Sequence, residues 1–186
     1  MTMRFIDLYD GSRPLGRYDV PEQVFNSDGR SFWLYGATKT GGNGVVFEAV
    51  ETVPGKPQGE PRALKFLKQM NQPRVDRFEN EIRVLKELSS PYISSFFAAG
   101  KAVVAAQAPA SGQREVPWVA IQMGAANFRQ HVEEHGPLTM QQLKSISFGM
   151  CSAVEHLHEK GFIRPRNFSS VKVSKAEFGG GVWLVV

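Results

Sequence analysis

Lys65 sits in the middle of an apolar run, Ala63-Leu64-Lys65-Phe66-Leu67. An ammonium in such a strand is costly to bury without a partner. A carboxylate on one side and a phosphate on the other would satisfy it. Glu81, sixteen residues further on and beside Ile82 and Leu85, is the natural carboxylate; Glu79 and Glu87 compete and are read as solvated. Upstream lies Gly41-Gly42-Asn43-Gly44-Val45-Val46-Phe47. Glycine is needed where a backbone folds tightly over phosphates, because a side chain would block the approach. Two plainer readings stand beside these. Gly-Gly-Asn-Gly is also an ordinary hairpin turn, and Lys65 also suits an exposed alternate position on an edge strand.

The elements that must position these residues can be read from periodicity. Residues 1–30 are polar and turn-rich and predict a leader with one short strand. Residues 32–35 and 45–50 are β-rich runs around the glycine turn, which predicts a hairpin. Three prolines and two glycines make 53–61 a loop into a strand over 62–67. Val75, Phe78, Ile82, Leu85 and Leu88 fall on one helical stripe, ended by Ser89-Ser90-Pro91. Strands follow over 93–106 and 117–123, split by a loop over 108–113. Met140, Leu143, Ile146, Met150, Val154 and Leu157 line one face of a helix over 139–160, which Gly161 ends. Two short strands, 171–174 and 182–186, close the pattern around Gly179-Gly180-Gly181.

Composition narrows the class. The 186 residues are 42% hydrophobic and 22% charged, ordinary for a globular chain. The net charge of +4 is scattered, with no block of five like charges, a pattern that argues against a nucleic-acid surface. Cys151 is the single cysteine, which excludes a disulfide within the chain and fits a reducing, cytoplasmic setting. Its place in an apolar helical pattern predicts a buried small hydrophobe. No stretch approaches the length of a membrane span, and the first ten residues do not resemble a signal peptide. His131, His135, His156 and His158 form no metal-ligand set; the last two point apart on their helix.

Taken together, residues about 31 to 163 resemble a eukaryotic-type Ser/Thr protein kinase domain. Gly44-x-Val46 aligns with the end of the glycine-rich loop, with Gly41 at its second glycine and Lys39 where the first belongs. Ala63-Leu64-Lys65 matches the nucleotide-holding lysine segment. Phe78-x-x-Glu81-Ile82-x-x-Leu85 matches the helix that supplies its glutamate partner. Ala120-Ile121-Gln122-Met123-Gly124 is similar to the hinge, with Ile121 as gatekeeper and the backbone near Gln122 and Gly124 facing adenine. Asn127 to His131 and Leu157 to Ile163 resemble the segments after the hinge and before the catalytic loop.

The resemblance implies an α+β, protein-kinase-like fold. A five-stranded antiparallel N-lobe with one main helix would occupy 31–123, and the hinge exit with a truncated helical C-lobe 124–186. It implies ATP held by Gly41, Gly44, Val46, Ala63, Lys65, Glu81, Ile121, Gln122 and Gly124, with Mg²⁺ bound weakly or not at all. The chain then departs from the pattern. A kinase continues with His-Arg-Asp-Leu-Lys-Pro-x-Asn, where the aspartate orients the acceptor hydroxyl. Here Gly161-Phe162-Ile163 runs into Arg164-Pro165-Arg166-Asn167-Phe168. A gapped alignment matches these last five to Lys-Pro-x-Asn-Ile and makes Asn167 the metal ligand. An ungapped one puts Val171 at the asparagine position. Neither supplies a catalytic aspartate. Val182 to Val186 read like the strand before Asp-Phe-Gly, and Glu177-Phe178-Gly179 reads as a turn. The resemblance implies an ATP-binding kinase-family domain, a Ser/Thr phosphotransferase in its intact form and inactive as this truncated or deleted chain, with a pseudokinase or a non-catalytic interaction or scaffold module as the alternative. The uncovered apolar face of 139–160 implies a protein partner.

Overall fold

The computed structural model describes residues 4–36, 39–41, 44–53, 56–57, 59, 61–124, 128–162, 172–175 and 182–185. In chain order its strands are β1 (Phe5–Asp10), β2 (Arg13–Asp19), β3 (Gln23–Phe25), β4 (Ser31–Leu34), β5 (Lys39–Thr40), β6 (Gly44–Val53), β7 (Lys56–Pro57) and β8 (Arg62–Leu67). Then come α1 (Gln72–Glu87), β9 (Phe96–Ala106), β10 (Gln113–Gln122), α2 (Phe128–His135), α3 (Met140–Glu159), β11 (Lys172–Lys175) and β12 (Val182–Val185). They fall into two compact units, 1–83 with 96–122 and 84–95 with 123–186.

The first unit is built on one ten-stranded sheet whose path runs β1-β2-β9-β10-β8-β6-β4-β3, with β5 and β7 both paired to β6. All named strand pairs in it are antiparallel. This overturns the expected kinase-type fold, a five-stranded lobe with a truncated helical lobe. The chain is mostly an eight-strand curled antiparallel path with few helices. The extra strands come largely from residues 5–25, read from sequence as a leader with one short strand. Ile6 and Leu8 alternate with Asp7 and Tyr9, so one face of β1 is wholly buried while charges on the other stay wet. Gly11, at φ +62°, turns the chain into β2. The register slips between Leu8 and Tyr9, a bulge that admits Pro14 and Gly16 to the strand.

The inner surface of the curl holds Ile6, Leu8, Tyr18, Val24, Phe32, Leu34, Phe47, Leu64, Phe66, Val104 and Trp118, all at most 2% exposed. Phe32 meets Trp118 edge-on at 5.6 Å, and Phe47 meets Phe66 at 5.4 Å. One side chain ties the curl across. Arg30 forks onto both oxygens of Glu51 at 2.8 Å and donates from Nη1 to the Phe97 carbonyl at 2.6 Å. Gly100 is required by the same closure, since a Cβ there would stand 2.9 Å from the Trp118 ring and 3.0 Å from the Phe25 carbonyl.

The second unit replaces the expected truncated helical lobe with two helices, α2 and α3, and a two-stranded sheet of β11 and β12. Thr139 caps α3 in a capping box with Gln142: its Oγ1 accepts from the Gln142 amide at 3.2 Å, and its own amide donates back to Oε1 at 2.8 Å. Gly161, at φ +74°, ends the helix where the pattern predicts. The apolar cluster is small: Ile93, Ala153 and Leu157, flanked by Val84, Leu85, Leu88, Tyr92, Met150 and Phe162. Met140 and Leu143, on the apolar face expected to be left uncovered, are 67% and 46% exposed. Cys151, expected to be buried, is exposed.

Candidate functional site

In an antiparallel sheet, residues directly opposite one another share a face. Val46 on β6 lies opposite Lys65 on β8, and Lys65 lies opposite Val119 on β10. One pleat along, Glu48 lies opposite Ala63, and Ala63 opposite Ile121. Val46, Ala63, Lys65 and Ile121, four of the residues expected to hold a nucleotide, are therefore neighbours on one face of three adjacent strands. The other face of β8 carries Leu64 and Phe66, fully buried in the core. β8 runs between β6 and β10, so Lys65 is on an internal strand and the edge-strand alternative is excluded.

Two side chains of α1 meet the ammonium. Lys65 Nζ donates to Glu81 Oε1 at 2.5 Å, and the pair is partly open to solvent, 27% for Lys65 and 32% for Glu81. The ring centroid of Phe78 lies 5.6 Å from Nζ. Glu81 is Phe78 plus three, the helical spacing that sets two side chains on one side. Of the three candidate carboxylates the structure selects Glu81; Glu79 and Glu87 are exposed.

The glycine turn divides. β5 pairs with β6 through Lys39 opposite Val46 and Thr40 opposite Val45. The Gly41 amide donates to the Gly44 carbonyl at 2.9 Å, so the hairpin reading is realised and that amide already has a partner. At Gly44 a Cβ would approach the Phe66 carbonyl to 2.7 Å, so the sheet itself demands glycine there. At Gly41 the nearest atom to a Cβ among the described residues is the Gly44 carbonyl at 3.8 Å, an ordinary contact.

The hinge residues separate. Ile121 is buried and Gln122 closes β10 opposite Arg62, whereas Gly124 belongs to the second unit and is not placed with the others. Asn167, with all of 163–171, lies outside the described residues. Sequence reasoning left out Phe78, Val119 and Glu48 as site residues. The first carried a usable signal, its three-residue spacing from Glu81. The other two needed the strand register. Glu48 packs along Gly36, where a Cβ would come within 2.1 Å of its Oε2. Beside it, burial and then the Glu48 charge raise the Tyr35 hydroxyl above its usual pKa.

No protein-family model matches this sequence, and no curated protein matches it. Among the described residues, no helix is long and apolar enough to cross a membrane.

Proposed function

We propose that this chain binds ATP on the β6–β8–β10 face, with Lys65 on the phosphates and Val46, Ala63 and Ile121 against the base. The observation that carries the reading is the Lys65–Glu81 pair at 2.5 Å. A lysine in an internal strand, braced by a helix carboxylate and still 27% exposed, offers a fixed ammonium to an incoming anion. The sequence resemblance to protein kinases favours ATP over other phosphate ligands. Gln122, at the end of β10, is the backbone partner of the base in this unit, and the glycines serve by lacking side chains. Gly124 has no part in the reading.

The bound nucleotide is not turned over. No aspartate stands between Gly161 and Phe168 to orient an acceptor hydroxyl. Mg²⁺ enters only as the counter-ion of the triphosphate. The proposed setting is cytoplasmic, which the single Cys151 supports. Calorimetric titration of the whole chain with ATP tests the reading: saturable heat lost in Lys65→Ala is expected, and heat unchanged by that substitution refutes it.

A second reading, a protein-docking module, has its own observation in the exposed Met140, Leu143 and Phe148 of α3. Such a module shows no saturable ATP heat.

A further inference from the structure

We infer that Phe78 is a positioning residue for Lys65, its ring face holding the ammonium where a phosphate can meet it; this rests on the nucleotide reading above. Lys65 ends a flexible four-carbon stem. One hydrogen bond to Glu81 Oε1 fixes a distance and leaves the head free to swing about it. The Glu81 side chain is itself 32% exposed and can follow. Phe78 differs in kind. It is 3% exposed, the buried residue of α1, and its ring lies 5.6 Å from Nζ, within the range of cation–π attraction.

The negative face of the ring draws the ammonium while donating and accepting nothing, so all three N–H groups remain available for Glu81 and a phosphate. A head held in place before binding loses less freedom on binding. Losing the ring should therefore weaken ATP binding about two- to thirtyfold, the range cation–π energies convert to.

Two measurements on the full chain test this. In the nucleotide-free protein labelled with ¹³C-lysine, the Lys65 ε-methylene resonance, assigned with Lys65→Arg, should lie upfield of exposed lysines because Nζ, one bond from it, lies over the ring. Phe78→Leu should abolish that displacement and raise the Kd for ATP about two- to thirtyfold. Site-specific Phe78→trifluorophenylalanine keeps the shape of the ring but drains its negative face. It should raise Kd in the same direction, which a purely packing role would not do. An undisplaced Lys65 resonance in the unsubstituted protein overturns the inference, as does a Kd unmoved by fluorination. If Phe78→Leu fails to fold, the fluorinated variant still decides. If ATP binds none of these proteins, the nucleotide reading fails, and the resonance alone decides whether Phe78 holds Lys65.

Discussion

Lys65→Ala separates a structural role of the Lys65–Glu81 pair from a ligand-binding one. The pair is a single contact at 2.5 Å between side chains 27% and 32% exposed. Partial exposure screens it, so its loss should cost roughly 0.2–1 kcal/mol. For a chain of this size that lowers Tm by about 0.5–4 °C. A ligand acts by mass action. At ATP ten times above Kd, RT ln(1 + [L]/Kd) is about 1.4 kcal/mol, a rise of about 3–6 °C. The two effects differ in sign and in their dependence on ATP. A thermal melt across an ATP series should show the unsubstituted protein climbing with log concentration. Lys65→Ala should start slightly lower and stay flat. Glu81→Gln, which keeps a hydrogen-bond acceptor and removes the charge, should climb with a weaker Kd. If Lys65→Ala climbs in parallel with the unsubstituted protein, the site is elsewhere and the face built by the register is not a nucleotide site.

Radiolabelled ATP with a generic protein acceptor should give no transfer above background, since orientation of the acceptor by a general base contributes roughly 10²–10⁴-fold and no aspartate is there to provide it; Lys65-dependent transfer would refute this. Gly44→Ala should destabilise by about 1–3 kcal/mol, because its Cβ meets the Phe66 backbone at 2.7 Å. Gly41→Ala should leave Tm unchanged and weaken ATP binding, and a melt with and without ATP reads both. Deleting residues 1–30 removes Ile6, Leu8, Tyr18 and Val24 from the core. At about 1.5–3 kcal/mol per buried side chain that rivals a whole domain's stability, so the truncated chain should show no cooperative melt. Hydrogen bonds from Arg17 and Arg30 hold Asp7 and Glu51 below the usual carboxylate range. The stability these pairs add is complete above the unfolded pKa of about 4 and is lost as pH falls through the lowered folded values. Arg30→Met should flatten acid unfolding followed by circular dichroism; an unchanged slope would show that the Glu51 pair contributes nothing.

Local patterns in the sequence carried much of the site. A lysine flanked by Leu64 and Phe66 announces a strand with one charged face, and the stripe from Val75 to Leu88 announces a helix able to bring Glu81 to it. Thr139 and Gly161 mark the ends of α3 because capping is settled within a few residues. Gly-Gly-Asn-Gly was ambiguous for a physical reason: a hairpin turn and a phosphate loop both require absent side chains. Only the packed structure tells apart Gly44, which β8 crowds, from Gly41, which makes only an ordinary 3.8 Å contact among the described residues.

What tertiary structure alone decided is long-range. Residues 5–25 look polar because half their side chains face water; that the other half closes a core is a property of the strands they meet. The sheet grew from five expected strands to ten because β-pairing depends on partners far away in sequence, such as Tyr18 with Ala106. Cys151 sits on α3 in an apolar pattern, yet it is exposed, since periodicity specifies a face and not what covers it. The amino-acid sequence by itself determined the residue types, a lysine among apolar neighbours and a carboxylate on the helix that follows. The register of three strands determined that Val46, Ala63, Lys65 and Ile121 share a face, because a side chain's neighbours across a sheet are set by pairing and not by its own type, and helix α1 brought Glu81 to Lys65.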